Sequence, residues 1–170
     1  MNYIILVNRK NKCPDNLSFH LVKTNSRYNK YIICEEQTFL AFQKIQNHAL
    51  TNGYNIDIES GYRSKEHQAK VYEDCIKQKG LEHTKKYVAE PGYSEHQTGL
   101  ALDICLKVGD KFLVDHDLPK DFNIFLKDNA FKYGFIIRYP LGKECITGYN
   151  SEPWHLRYVG KALAKYIDKN

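Results

Sequence analysis

The run GLALDICL, residues 99–106, constrains the chain more than any other stretch. Leu100, Leu102, Ile104 and Leu106 alternate there with Ala101, Asp103 and Cys105. Side chains of a strand alternate between its two faces, so a strand over this run puts its aliphatic residues on one face and Asp103 on the other. Pro91 and Gly92 break the chain before it. Other segments alternate with the same period. Tyr54, Ile56 and Ile58 predict a strand running into a turn at Ser60 and Gly61, FIIRY predicts one at 135–139, and residues 3–7 predict one near the start. In WHLRYV, His155 and Arg157 share one face while Trp154, Leu156 and Tyr158 share the other.

Helical spacing fills the gaps between these strands. Phe39, Phe42, Ile45, Ala49 and Leu50 predict an amphipathic helix over residues 36–52 that stops at Gly53. Ser64 can cap a helix over 65–79, with Ala69, Tyr72 and Ile76 inward and Gly80 as its stop. Phe122, Phe125, Leu126 and Ala130 form another helix face that ends near Gly134, and a short helix over 161–168 closes the chain. The stretch from 8 to 30, with Pro14 and many Asn and Ser, reads as irregular; 107–121 reads as a polar surface loop near the site. Helices and strands in this mixed order predict an α+β fold, a small, mainly antiparallel sheet flanked by helices.

No repeat or low-complexity linker interrupts the 170 residues, which predicts one domain, and 42% hydrophobic residues suffice for a core without disulfides. The cysteines at 13, 34, 75, 105 and 145 form no CxxC pair. An odd, scattered set predicts reduced thiols and a cytoplasmic protein. Residues 3–7 are too short an apolar run for a signal peptide or a membrane span. The formal charge of +5 comes from Lys and Arg interspersed with acids, a pattern of a mildly basic surface rather than a nucleic-acid stripe.

Three segments carry chemistry. SEHQTGLALD (94–103) contains His96 and Asp103, which converge on one ion if the chain bends at Gly99. EPWHLRY (152–158) adds His155, with Glu152 three positions before it. Two His and one Asp leave a tetrahedral zinc with an open position for water, and a neighbouring carboxylate can take that water's proton. SGYRSKEHQ (60–68) places Arg63 at a strand end, where a guanidinium can face the oxyanion of an amide hydrolysis, and Gln68 one turn into the next helix.

These segments, together with YGFIIRYP (133–140) and ITGYNSEPWHLRYVG (146–160), resemble the VanY-type D,D-carboxypeptidases and, more closely, the VanXY group of D,D-peptidases. The resemblance implies zinc on His96, Asp103 and His155, Glu152 as catalytic base, and Arg63 as transition-state stabiliser. It also implies Ser94 and Gln68 as substrate-binding residues and a small peptide ending in D-Ala as substrate. The implied fold is that of D-Ala-D-Ala peptidases and Hedgehog signalling domains. An L,D-carboxypeptidase or endolysin with the same zinc site, and a non-catalytic zinc-binding module for peptides, are the alternatives.

Overall fold

The computed structural model describes residues 3–170. A hairpin of β1 (Leu21–Asn25) and β2 (Tyr31–Glu35) leads into α1 (Glu36–Thr51), followed by β3 (Asn55–Ser60), α2 (Lys65–Lys79) and α3 (Leu81–Tyr87). A 3-10 turn over Glu95–Thr98 precedes β4 (Ala101–Val108) and β5 (Lys111–Leu113). After a second 3-10 turn, Asp115–Asp117, come α4 (Lys120–Asn129), β6 (Phe135–Tyr139), α5 (Glu144–Thr147), β7 (Glu152–Tyr158) and α6 (Lys161–Lys169).

The main sheet runs β3-β4-β7-β6, and every pairing in it is antiparallel. β4 lies at its centre. β3 takes one edge; the other is shared, with β7 opposite residues 101–103 and β5 opposite residues 106–108. The aliphatic face of β4 does what its alternation predicts. Leu102, Ile104 and Leu106 pack with Ile56, Ile58, Leu156 and Trp154, and α1 and α4 cover them with Phe42, Ile45, Phe122 and Leu126. Each such side chain contributes about 1.5–3 kcal/mol on full burial.

The boundaries of α1 and α2 fall where the sequence places them. Ser64 accepts a hydrogen bond from the His67 N–H at the start of α2, and Gly80 ends that helix with φ +83°. Elsewhere the structure corrects the sequence reading. Residues 3–7 form no strand; their carbonyls are held by Arg157 instead. The stretch read as irregular contains β1, whose side chains alternate between half-buried and exposed. Leu50 is 60% exposed, and α1 buries Thr38 and Ala41 alongside Phe42, Ile45 and Ala49. In α2 the buried residue is Gln68, while Ala69, Tyr72 and Ile76 are only half-buried; no residue of this helix joins the core cluster, and Gln68, Val71 and Cys75 line the site cavity instead. Residues 107–121 are not a plain loop: they close the β4–β5 hairpin and form a turn.

Candidate active site

The β4–β7 pairing sets Asp103 directly opposite His155. Both therefore project to the same face, away from the aliphatic core. His96 arrives from the 3-10 turn because Gly99 takes the left-handed conformation, φ +74°, and turns the chain into β4. A Cβ at position 99 would lie 3.2 Å from the Glu35 backbone nitrogen, and a side chain at this φ is strained, so glycine is favoured here. His96 Nε2 comes within 3.1 Å of Asp103 Oδ2, and His155 Nδ1 within 3.1 Å of Asp103 Oδ1. One ligand atom from each of the three residues lies within 4.8 Å of the others.

Their second nitrogens determine what these rings offer. His96 Nδ1 lies 2.7 Å from the Gly61 carbonyl oxygen, which can only accept, so that nitrogen carries the proton and Nε2 presents a lone pair. His155 Nε2 lies 3.4 Å from Glu95 Oε2, so Nε2 keeps its proton there and Nδ1, which faces Asp103, is the nitrogen that can give up its own proton to ligate a metal. A carboxylate and two imidazole nitrogens converging at these distances call for positive charge among them, supplied by a proton on a ring or by a bound cation. The site's titration reflects that demand for positive charge. Burial disfavours the charged His155 ring, yet hydrogen bonds to Asp103 and Glu95 outweigh it and push the ring up to about 9. Burial likewise opposes ionisation of Asp103, and His96 and His155 hold it well below the carboxylate range. The donor set fits a divalent metal that accepts imidazole nitrogen and carboxylate oxygen.

Glu152 precedes His155 by three residues, which on a regular strand would put the two on opposite faces. A bulge prevents this. Ile137 pairs with Leu156 but Tyr139 pairs with Glu152, so a two-residue step on β6 matches a four-residue step on β7 around Pro153. Glu152 Oε2 consequently lies 4.0 Å from His155 Nδ1. Burial pushes its carboxyl up to about 8; His155 works against the rise, and Asp103 and Asp115 add to it.

Arg63 faces the same centre, with one amino nitrogen 3.9 Å from Asp103 Oδ2 and 2.9 Å from Ser60 Oγ. Its other amino group donates to Gln68 Oε1 at 3.0 Å, and Gln68 Nε2 donates in turn to the Ala89 carbonyl at 2.7 Å. Gln68 thus braces Arg63, a task that comes in addition to the substrate contact implied by the resemblance, and it lines the site cavity. Ser94, 4% exposed, lines the same cavity of about 290 Å³. The structure brings together all seven residues singled out from the sequence. It adds Glu59 and Asp115 to the walls, and Glu95, Arg138 and Arg157 behind His155. Arg138 and Arg157 stand within apolar strand patterns, and such charges need an acidic partner, which was the available signal.

Glu59 gives a measurable consequence. Burial first, then Asp103 and Asp115, push its carboxyl up to about 8 from 4.5 in the metal-free protein, against the pull of Arg63. Between those values the folded chain holds a proton that the unfolded chain has lost, so this group's contribution to stability is full at low pH and declines as pH rises through the folded value. Glu59→Gln removes that decline. In urea unfolding with chelator present, the variant gains on wild type between about pH 5 and about pH 8; a difference independent of pH would contradict the assignment.

Fold and site together define a class: an α+β domain whose sheet carries a candidate His–Asp–His metal centre beside a buried acid and a braced arginine. The family model for VanY, D-alanyl-D-alanine carboxypeptidase, matches residues 32–161, and the chain belongs to that family. It is 43% identical over 115 residues to the bifunctional D-Ala-D-Ala dipeptidase and carboxypeptidase VanXYC of Enterococcus gallinarum, covering 66% of this chain and 60% of that protein. Among solved structures, a mutant of the vancomycin-resistance D,D-pentapeptidase VanY from a VanB-type cassette, in complex with Zn(II), superposes with a TM-score of 0.84 at 32% identity. That match covers 98% of this chain and 93% of the other. The LD-carboxypeptidase LdcB matches with a TM-score of 0.82 at 38% identity over 99% and 81% of the two chains. The chain spans 44% to 61% of the length of the curated relatives it matches. No helix among the described residues is long and apolar enough to cross a membrane.

Proposed function

We propose that this chain is one zinc peptidase domain that hydrolyses the terminal amide of cell-wall peptides ending in D-Ala-D-Ala, or of the free dipeptide. The observation that carries this reading is the bulge in β7, which moves Glu152 onto the face that Asp103 and His155 share. A peptide-binding module needs the metal ligands but has no use for a buried acid beside them. His96, Asp103 and His155 would hold zinc, which when bound would polarise the scissile carbonyl and lower the pKa of water.

The residues divide the remaining work. Glu152 takes a proton from the attacking water and gives it to the departing amine of D-alanine. Arg63, braced by Gln68 and Ser60, directs its guanidinium at the negative charge that develops on the carbonyl oxygen. Ser94 and Gln68 on the cavity wall hold the substrate, and Gln68 also braces Arg63. Five free cysteines favour a reducing compartment, so we place the reaction in the cytoplasm, acting on soluble wall precursors. Trimming these precursors favours resistance to vancomycin-type antibiotics.

A second reading, an L,D-carboxypeptidase, has behind it the 38% identity to LdcB, above the 32% to the D,D-pentapeptidase though below the 43% to VanXYC. A product assay over D-Ala-D-Ala, a pentapeptide ending in it and a tetrapeptide ending in L-Lys-D-Ala separates the two. We expect D-alanine from the first two substrates. Cleavage of the tetrapeptide alone would move the chain to the L,D class.

A further inference from the structure

A buried charge cluster lies behind the candidate metal centre, and the proposed chemistry does not use it. Glu95, between Ser94 and His96, is 3% exposed. Its Oε1 accepts from Arg138 Nε at 2.8 Å and lies 3.1 Å from an amino nitrogen of Arg157. Its Oε2 faces His155 Nε2 at 3.4 Å. Arg157 is 1% exposed, and its other amino group donates to the Ile5 carbonyl at 2.9 Å.

We propose that Glu95 is a positioning residue for the metal: held by Arg138 and Arg157, it fixes the ring orientation and tautomer of His155 and so sets the affinity of the site. The inference rests on the metal reading of His96, Asp103 and His155.

Two arguments carry it. First, stability alone does not call for this cluster, since apolar residues of similar volume commonly replace buried ion pairs at no net cost to the fold. What an apolar side chain cannot do is accept the proton of His155 Nε2 and leave Nδ1 free for the ion. Second, the two carboxylate oxygens have separate partners. Oε1 takes both guanidinium groups and Oε2 is left to the ring, so the arginines hold the carboxylate in place without competing for the oxygen that His155 meets. A partner of this kind, hydrogen-bonded to the far nitrogen of a ligating histidine, typically accounts for about 10- to 100-fold in metal affinity.

The test uses the whole chain and Zn²⁺ alone, titrated against a chromophoric chelator, with the visible spectrum of the Co²⁺-loaded protein as a report on ligand geometry. Glu95→Gln keeps the size of the side chain but removes the charge. We expect Zn²⁺ binding weaker by about 10- to 100-fold and a shifted Co²⁺ spectrum. Because Glu95→Gln leaves the buried Arg157 and the partly buried Arg138 without their acid, it can fail to fold. The double variant Glu95→Gln/Arg138→Gln keeps the net charge of the cluster and then decides the matter. Zn²⁺ affinity within about twofold of wild type in a folded variant, or weaker binding with a wild-type Co²⁺ spectrum, overturns the proposal. His155→Ala separates the two levels: if wild type and this variant bind Zn²⁺ alike, the metal reading itself has failed, not the role of Glu95.

Discussion

Glu152→Gln lowers kcat by at least about a hundredfold while zinc content and fold stay close to those of wild type. Glutamine keeps the size of the side chain and one acceptor but cannot take a proton. Positioned acid–base catalysis contributes about 10²–10⁴ in rate, roughly 3 to 5 kcal/mol of barrier. The carboxyl is 4.0 Å from His155 Nδ1, near enough to act beside the ion without being counted among its three closest donors. Burial holds it up to about 8 in the metal-free protein, and a cation within about 4–6 Å favours the ionised form. The base therefore becomes available when the centre is loaded. Substrate affinity changes little, because the lost interaction is made in the transition state. Steady-state kinetics with matched zinc analysis is the measurement, and wild-type turnover at full zinc occupancy would remove Glu152 from the mechanism.

His155→Ala removes most of the zinc from a protein that otherwise carries about one ion per chain. The variant loses one of three donors from a centre whose geometry Asp103 and His155 share across a strand pair. It also strips Glu95 of its ring partner and leaves a buried space in the middle of β7. Elemental analysis of the purified proteins reads the result, and equal zinc in both would refute the ligand set. Among the described residues, His96, Asp103 and His155 are the one group of metal-capable side chains that close in on one another, and no cysteine belongs to it.

What could be read from the chain beforehand depended on distance along it. The strand at 101–108 and the helix starting after Ser64 were legible because their signals are local: an alternation in one case, a cap and a stop in the other. The site residues were legible because the motif spacing places His96, Asp103, Glu152 and His155 in short, recognisable runs. The support behind them was not. Glu95 meets Arg138 across 43 residues and His155 across 60, and nothing local to Glu95 announces either partner. The bulge at Pro153 is hidden for the same reason, since it exists only relative to β6. Residues 3–7 mislead in the opposite direction. Their apolar run suits a strand, but no edge of the main sheet receives them, and their carbonyls bond to a side chain instead.

The pairing of Asp103 with His155 also bears on how the chain reaches its native state. These residues are some fifty positions apart, and they meet only when β4 and β7 align in one way. A slip by a single residue would turn one of them to the opposite face of the sheet. Misaligned chains can be compact and well supplied with buried leucine, yet they cannot assemble the donor set. An ion that binds only the correctly aligned chain stabilises that state by RT ln(1 + [L]/Kd) and does nothing for its competitors. Metal uptake during refolding would then lag behind collapse, and the loaded fraction would count the molecules whose strands had settled in step.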